Sequence, residues 1–201
     1  MKKIMFDDRH LLTKKVIDGS KTQTRRVCKR QVVSFSTRIN ANVNGFFDCE
    51  QPQYKKGEEL AVAWPYREVL NLFPYGTSRS VLSALRARYG DAIESLPGYS
   101  NKLFVRPGLM PYRIKIEDVK IERLSDITDC DCMSEGIRGY NDVYFWDSPD
   151  QSRTFFESPR GAFAHMVDRI CGRGTWAQNP WVFRYDFKLI NKPVKDDKYV
   201  V

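Results

Sequence analysis

An α+β fold of mostly antiparallel strands, with flanking helices and an inserted helical segment, is predicted for a single domain over residues 1–201 by three features of the sequence. Tyr112 to Ile121 and Trp181 to Leu189 alternate apolar with charged residues, the period-two pattern of half-buried antiparallel strands. Phe163, Met166, Val167 and Ile170 fall instead at i, i+3, i+4 and i+7, along one face of a helix. Residues 69–104 are broken by Pro74-Tyr75-Gly76 and by Pro97-Gly98 around a short apolar-periodic stretch, and read as the insertion.

Taken in order, Lys3-Ile4-Met5-Phe6 is an opening strand, and Asp7 or Asp8 can cap the helix after it. Leu12 and Val16 stand four apart, with Leu11 and Ile17 widening the stripe, so a helix over 8–18 is predicted, with Gly19 to end it. The stretch Gly19-Ser20-Lys21-Thr22-Gln23-Thr24-Arg25-Arg26 then runs as a turn into a strand. Residues 31–53 read as a strand around Val32, Val33 and Phe35 and a polar loop. Leu60-Ala61-Val62-Ala63-Trp64 is too apolar to be half exposed and is predicted central, with Pro65 closing it. In the insertion, Thr77 or Ser78 caps a helix over 78–89 carrying Val81, Leu82 and Leu85; Tyr75, Tyr89 and Tyr99 are either a flap or packing residues. Thr128-Asp129-Cys130-Asp131 fits a capping box for a helix over 128–135, stopped by Gly136. Glu135 thus stands where the helix dipole disfavours an acid. Residues 138–158 read as a loop, Ser158-Pro159 and Gly172 delimit a helix over 159–171 with His165 facing solvent, and 192–201 read as a flexible tail.

Composition narrows the function classes. A chain with 42% hydrophobic and 13% aromatic residues folds, and no run approaches the roughly 20 apolar residues of a membrane span. The N-terminus lacks the apolar core of a signal peptide, so a soluble cytoplasmic protein with no membrane partner is expected. Five scattered cysteines are not a disulfide framework, and with only two histidines neither a metal nor another cofactor is expected. Residues 1–40 hold eleven Lys/Arg against three Asp, which accounts for the whole net charge of +8. That asymmetry predicts an electropositive face around residues 19–26, suited to a phosphate-bearing partner, or else a solubilising surface. Lys21, Arg25 and Arg26 crowd hydrogen-bond donors able to hold an anionic or carbonyl-bearing ligand from several directions.

Three blocks together resemble the ASCH family of PUA-like proteins, especially its phage and prophage members. They are Ile17-Asp18-Gly19-Ser20-Lys21-Thr22-Gln23-Thr24-Arg25-Arg26, the run from Ile114 through Ser134-Glu135-Gly136-Ile137, and Gly174-Thr175-Trp176-Ala177-Gln178-Asn179-Pro180-Trp181-Val182-Phe183. Tyr54-Lys55-Lys56-Gly57-Glu58 is similar to the family's charged glycine turn, whereas Ala63-Trp64-Pro65-Tyr66 replaces its usual Arg-Glu pair. The resemblance implies a PUA-like, mostly antiparallel β-barrel, of about five to seven strands, and recognition of RNA or a modified nucleoside. A branch of the family hydrolyses the acyl amide of N4-acetylcytidine with a lysine, a threonine and a glutamate, which map onto Lys21, Thr24 and Glu135.

In that reading Thr24 is the nucleophile, and Lys21 takes its proton once burial and the neighbouring arginines lower its pKa. Glu135 orients Lys21 or protonates the leaving amine. Arg26 holds a phosphate or the base edge, Arg25 contributes to the same basic face, and Thr22 or Gln23 offer oxyanion donors. The alternatives are a non-catalytic RNA-binding module that stacks bases on Trp64 or Trp176, unless these pack the core, and thirdly a metal-free ribonuclease.

Overall fold

The computed structural model describes residues 1–28, 51–72, 86–147 and 154–191. The strand and loop expected over 31–53 therefore lie mostly outside the described residues, as do Tyr75, most of the 78–89 helix, whose residues 86–89 are helical, and the 192–201 tail.

Five strands form one mostly antiparallel sheet: β1 (Lys2–Ile4), β2 (Gln23–Val27), β3 (Glu59–Val62), β4 (Arg113–Arg123) and β7 (Trp181–Asn191), in the order β1-β3-β4-β7-β2. Only the β1–β3 pair is parallel. The two long alternating segments are neighbours at the centre, with Ile114 opposite Leu189 and Val119 opposite Tyr185, and a bulge between Ile116 and Asp118. A bulge adds twist, so β4 bends there. The two edge strands are tied by a side chain: Arg26 Nη2 of β2 donates to the carbonyl of Met5, one residue past β1.

The core contains Leu60 and Val62 of β3, Ile114 and Ile116 of β4, and Tyr185 and Phe187 of β7. The alternation in β7 is incomplete. Val182, on the side opposite Tyr185, is also fully buried, because the helix α4 (Pro159–Cys171) brings Phe163, Met166 and Val167 into the same core. Ser158 accepts from the Gly161 amide at 3.1 Å and Pro159 occupies the first turn, so this helix starts where its sequence signals place it.

Three expectations are corrected. The helix over 8–18 is split into a 3-10 turn (Asp8–His10) and α1 (Leu12–Asp18), because Leu11 takes a left-handed φ of 53°. Residues 138–158 are not simply a loop. They contain a hairpin of β5 (Arg138–Tyr140) and β6 (Val143–Phe145), turned by Asn141 and Asp142 with φ 48° and 59°. Two positive φ values in a two-residue connection match the twist of a hairpin. The insertion begins early, in α2 (Tyr66–Leu72), and continues in short 3-10 turns; Tyr89 and Tyr99 pack against the core. No helix among the described residues is long and apolar enough to cross a membrane.

Candidate functional site

The site begins with a backbone problem. The helix α3 (Asp129–Ser134), opened by the reciprocal bonds of Thr128 and Asp131, leaves carbonyls without intrahelical partners at its C-terminal end. Glu135 caps that end and Gly136 leaves it at φ 102°. Donors from one short stretch of chain meet three successive carbonyls: the Thr22 amide reaches Ser134 O at 2.9 Å, Lys21 Nζ reaches Glu135 O at 2.8 Å, and Lys15 Nζ reaches Gly136 O. The turn is itself closed by the Lys21 amide on Lys15 O at 2.9 Å.

The same docking brings Lys21 Nζ against Glu135 Oε2, two side chains 114 residues apart and both almost fully buried. Arg25 Nη1 donates to Glu135 Oε1 at 3.2 Å, so the acid at the unfavourable helix end has a cation on each oxygen. This offsets its repulsion from the helix dipole. Burial pushes the Lys21 pKa below its usual value; the Glu135 charge and hydrogen bond oppose this, and Arg26 and Arg25 add to the lowering.

Lys21, Thr24, Arg25, Arg26 and Glu135 all line one cavity of about 990 Å³. Thr24 and Arg26 share a face of β2 by its two-residue period. Phe163, Met166, Val167 and Ile170, the stripe of α4, supply apolar wall, with Phe6 and Val182. The arrangement is a buried amine paired with a carboxylate, with a buried hydroxyl and an apolar wall lining the same cavity. It can accept a proton from the hydroxyl and return it to a leaving group, provided the amine is neutral.

The other expected binding residues are engaged within the protein or lie off the cavity. Arg25 does not present a basic face: its side chain is buried, its Nε donates to Glu122 Oε1 at 2.8 Å, and its Nη2 lies 3.5 Å from Asp131. The Thr22 amide is occupied by Ser134, and its side chain is exposed and does not line the cavity. The Gln23 Oε1 accepts from Arg25 Nη1 at 3.3 Å, and Gln23 does not line the cavity either. Trp64 is a core residue with its ring 6.3 Å from Tyr112, as expected of an apolar strand end. Trp176, in the short helix α5 (Thr175–Gln178), stands edge-on to Phe163 at 6.2 Å and so backs the cavity wall. Trp64→Ala is expected to cost about 3–5 kcal/mol of stability, the range for a large buried aromatic, while ligand affinity of the folded protein stays unchanged; urea unfolding and calorimetric titration measure the two.

Sequence reasoning missed Lys15. It is 2% exposed, it holds Gly136, and its Nζ lies 3.3 Å from Asp147. Its signal is position: Lys15 stands three residues after Leu12, on the buried stripe of α1. The apolar wall was visible as the α4 stripe but carried no mark of a cavity.

Among the described residues no group of three or more His, Cys, Asp or Glu side chains is arranged to hold a metal ion. No protein-family model, curated protein or solved structure matches the chain.

Proposed function

We propose that this protein is an ASCH-type, PUA-like amidohydrolase that removes the acyl group of N4-acetylcytidine-type substrates. The observation that carries the reading is the direct contact of Lys21 with Glu135 in the cavity that Thr24 also lines. The two edge strands, joined through Arg26 and Met5, support the barrel part of the proposal.

Thr24 Oγ1 attacks the amide carbon as its proton passes to the neutral amine of Lys21, which Glu135 orients by accepting another N–H. The tetrahedral oxyanion is offset by the charge of the ammonium that Lys21 has become, since the Thr22 amide is bonded to Ser134 and the Gln23 side-chain amide to Asp131. The C–N bond then breaks, the proton on Lys21 goes to the departing N4, and cytidine leaves. Water adds to the acyl–Thr24 ester, releases the acid and restores the hydroxyl. The apolar wall suits the flat pyrimidine, and the cavity falls within the usual range for small-ligand sites, about 300–1,000 Å³.

The RNA-binding module has less support, because Lys21 and Arg25 are paired with acids and neither Trp64 nor Trp176 lines the cavity. Incubation with N4-acetylcytidine tests the choice: release of cytidine and acetate is the expected result. An intact, inert protein that retains single-stranded RNA with a salt-dependent affinity would transfer the assignment to the binding module.

A further inference from the structure

We infer that the substrate carries an anionic oxyacid group and that Arg26 is the residue that holds it, an inference that rests on the hydrolase reading above. Five cations line the cavity, and four have a carboxylate. Arg9 pairs with Asp7 at 2.6 Å, Lys102 with Asp8 at 2.7 Å, Arg25 with Glu122 at 2.8 Å, and Lys21 with Glu135. Arg26 meets no carboxylate among the described residues.

Its side chain is nevertheless fixed. Nη2 donates to Met5 O, the guanidinium carbon lies 5.9 Å from the centre of the Phe6 ring, and Nε is buried without a hydrogen-bond partner. A guanidinium is too basic to shed its charge, so a partly buried one beside apolar walls remains a standing electrostatic cost. The cheapest relief is an oxyanion brought by the ligand, to which a planar donor fork is matched in charge and geometry. Neutral acceptors on a pyrimidine edge would satisfy hydrogen bonds but leave the excess charge.

Two sources supply that chemistry: a phosphate on the ribose, or a carboxylate at the far end of the acyl group. Either also bears on the reaction, because Arg26 is one of the charges that lower the Lys21 pKa. An anion docked on Arg26 shields Lys21 from it, so the acid limb of kcat lies at higher pH for the anionic substrate than for its neutral analogue.

The test compares N4-acetylcytidine, its 5′-monophosphate and N4-succinylcytidine on the full chain, alongside Arg26→Gln and Arg26→Lys. One anionic substrate is expected to exceed the neutral one by about 10- to 100-fold in kcat/KM, the scale of a charge-assisted hydrogen bond. In Arg26→Gln the ratio collapses to about one, while Arg26→Lys keeps part of it. The monophosphate and the succinyl compound tell the two sources apart. Equal kcat/KM for all three in the unaltered protein, or a preference that survives Arg26→Gln, overturns the inference and leaves the hydrolase standing. If none is hydrolysed, calorimetric binding of the same three compounds decides. Tighter binding of an anionic one through Arg26 keeps the inference while the hydrolase reading falls, and equal or absent binding removes both.

Discussion

Lys21→Ala is expected to remove turnover of an N4-acylated cytidine, by about 10³-fold or more, the usual worth of a positioned general base, while the substrate still binds. The expectation follows from what remains when the amine is gone. Glu135 keeps Arg25 on its second oxygen, so its charge is not stranded, and the apolar wall of α4 does not involve Lys21. Loss confined to kcat identifies an interaction made in the transition state, whereas a rise in KM alone would describe lost binding. The unaltered protein should show the matching pH dependence. Because burial lowers the Lys21 pKa, the neutral amine accumulates at lower pH than it does for an exposed lysine, and the rate climbs with pH as the pH rises through that lowered pKa. Lys21→Met separates charge from volume: it fills the site and should be as inactive as the alanine variant. Full turnover in either variant would show that the amine is not the base.

Much of the secondary structure was legible because its signals are local. The cap at Thr128 and Asp131, the start at Ser158 and Pro159, and the alternation of β4 each depend on residues within a few positions of one another. The misses have equally local causes. A left-handed Leu11 carries no sequence mark, since leucine seldom adopts that conformation. Asn141-Asp142 is a fair hairpin turn, but the aromatic and acidic residues around it carry no clear period to mark the strands. The candidate site is half legible: Glu135 stands out as an acid at the wrong helix end, and residues 19–26 by the density of their donors. Their contact was not legible, because it depends on the C-terminal carbonyls of α3 docking onto the turn after α1. Nor did sequence reveal that Glu122 and Asp131 converge on Arg25, which turned a predicted phosphate ligand into an internal ion pair.

Glu135→Gln should separate the two duties of that pair, holding the fold together and setting the amine's proton affinity. Glutamine keeps the shape and still accepts one hydrogen bond, but it removes the charge facing Lys21 Nζ. That charge raises the Lys21 pKa against the larger lowering by burial. Without it the pKa falls further, so the acid limb of the rate profile moves to lower pH even as the plateau drops by about 10²-fold, through loss of the group that aims the amine. Stability falls as well, since breaking a buried pair from one side costs about 3–5 kcal/mol where the remaining ion stays charged. The pH dependence of that loss has a definite sign. A lowered folded-state pKa means that the unfolded chain holds the Lys21 proton more tightly, so this group's contribution is complete above pH 10.5 and is lost as pH falls through the folded pKa. The deficit of Glu135→Gln is therefore largest at low pH and narrows as pH rises and Lys21 discharges. Urea unfolding at several pH values, set beside the pH–rate profile, measures both effects on one protein. An acid limb that does not move, together with a deficit that is the same at every pH, would mean that Lys21 is not the group whose titration governs the reaction.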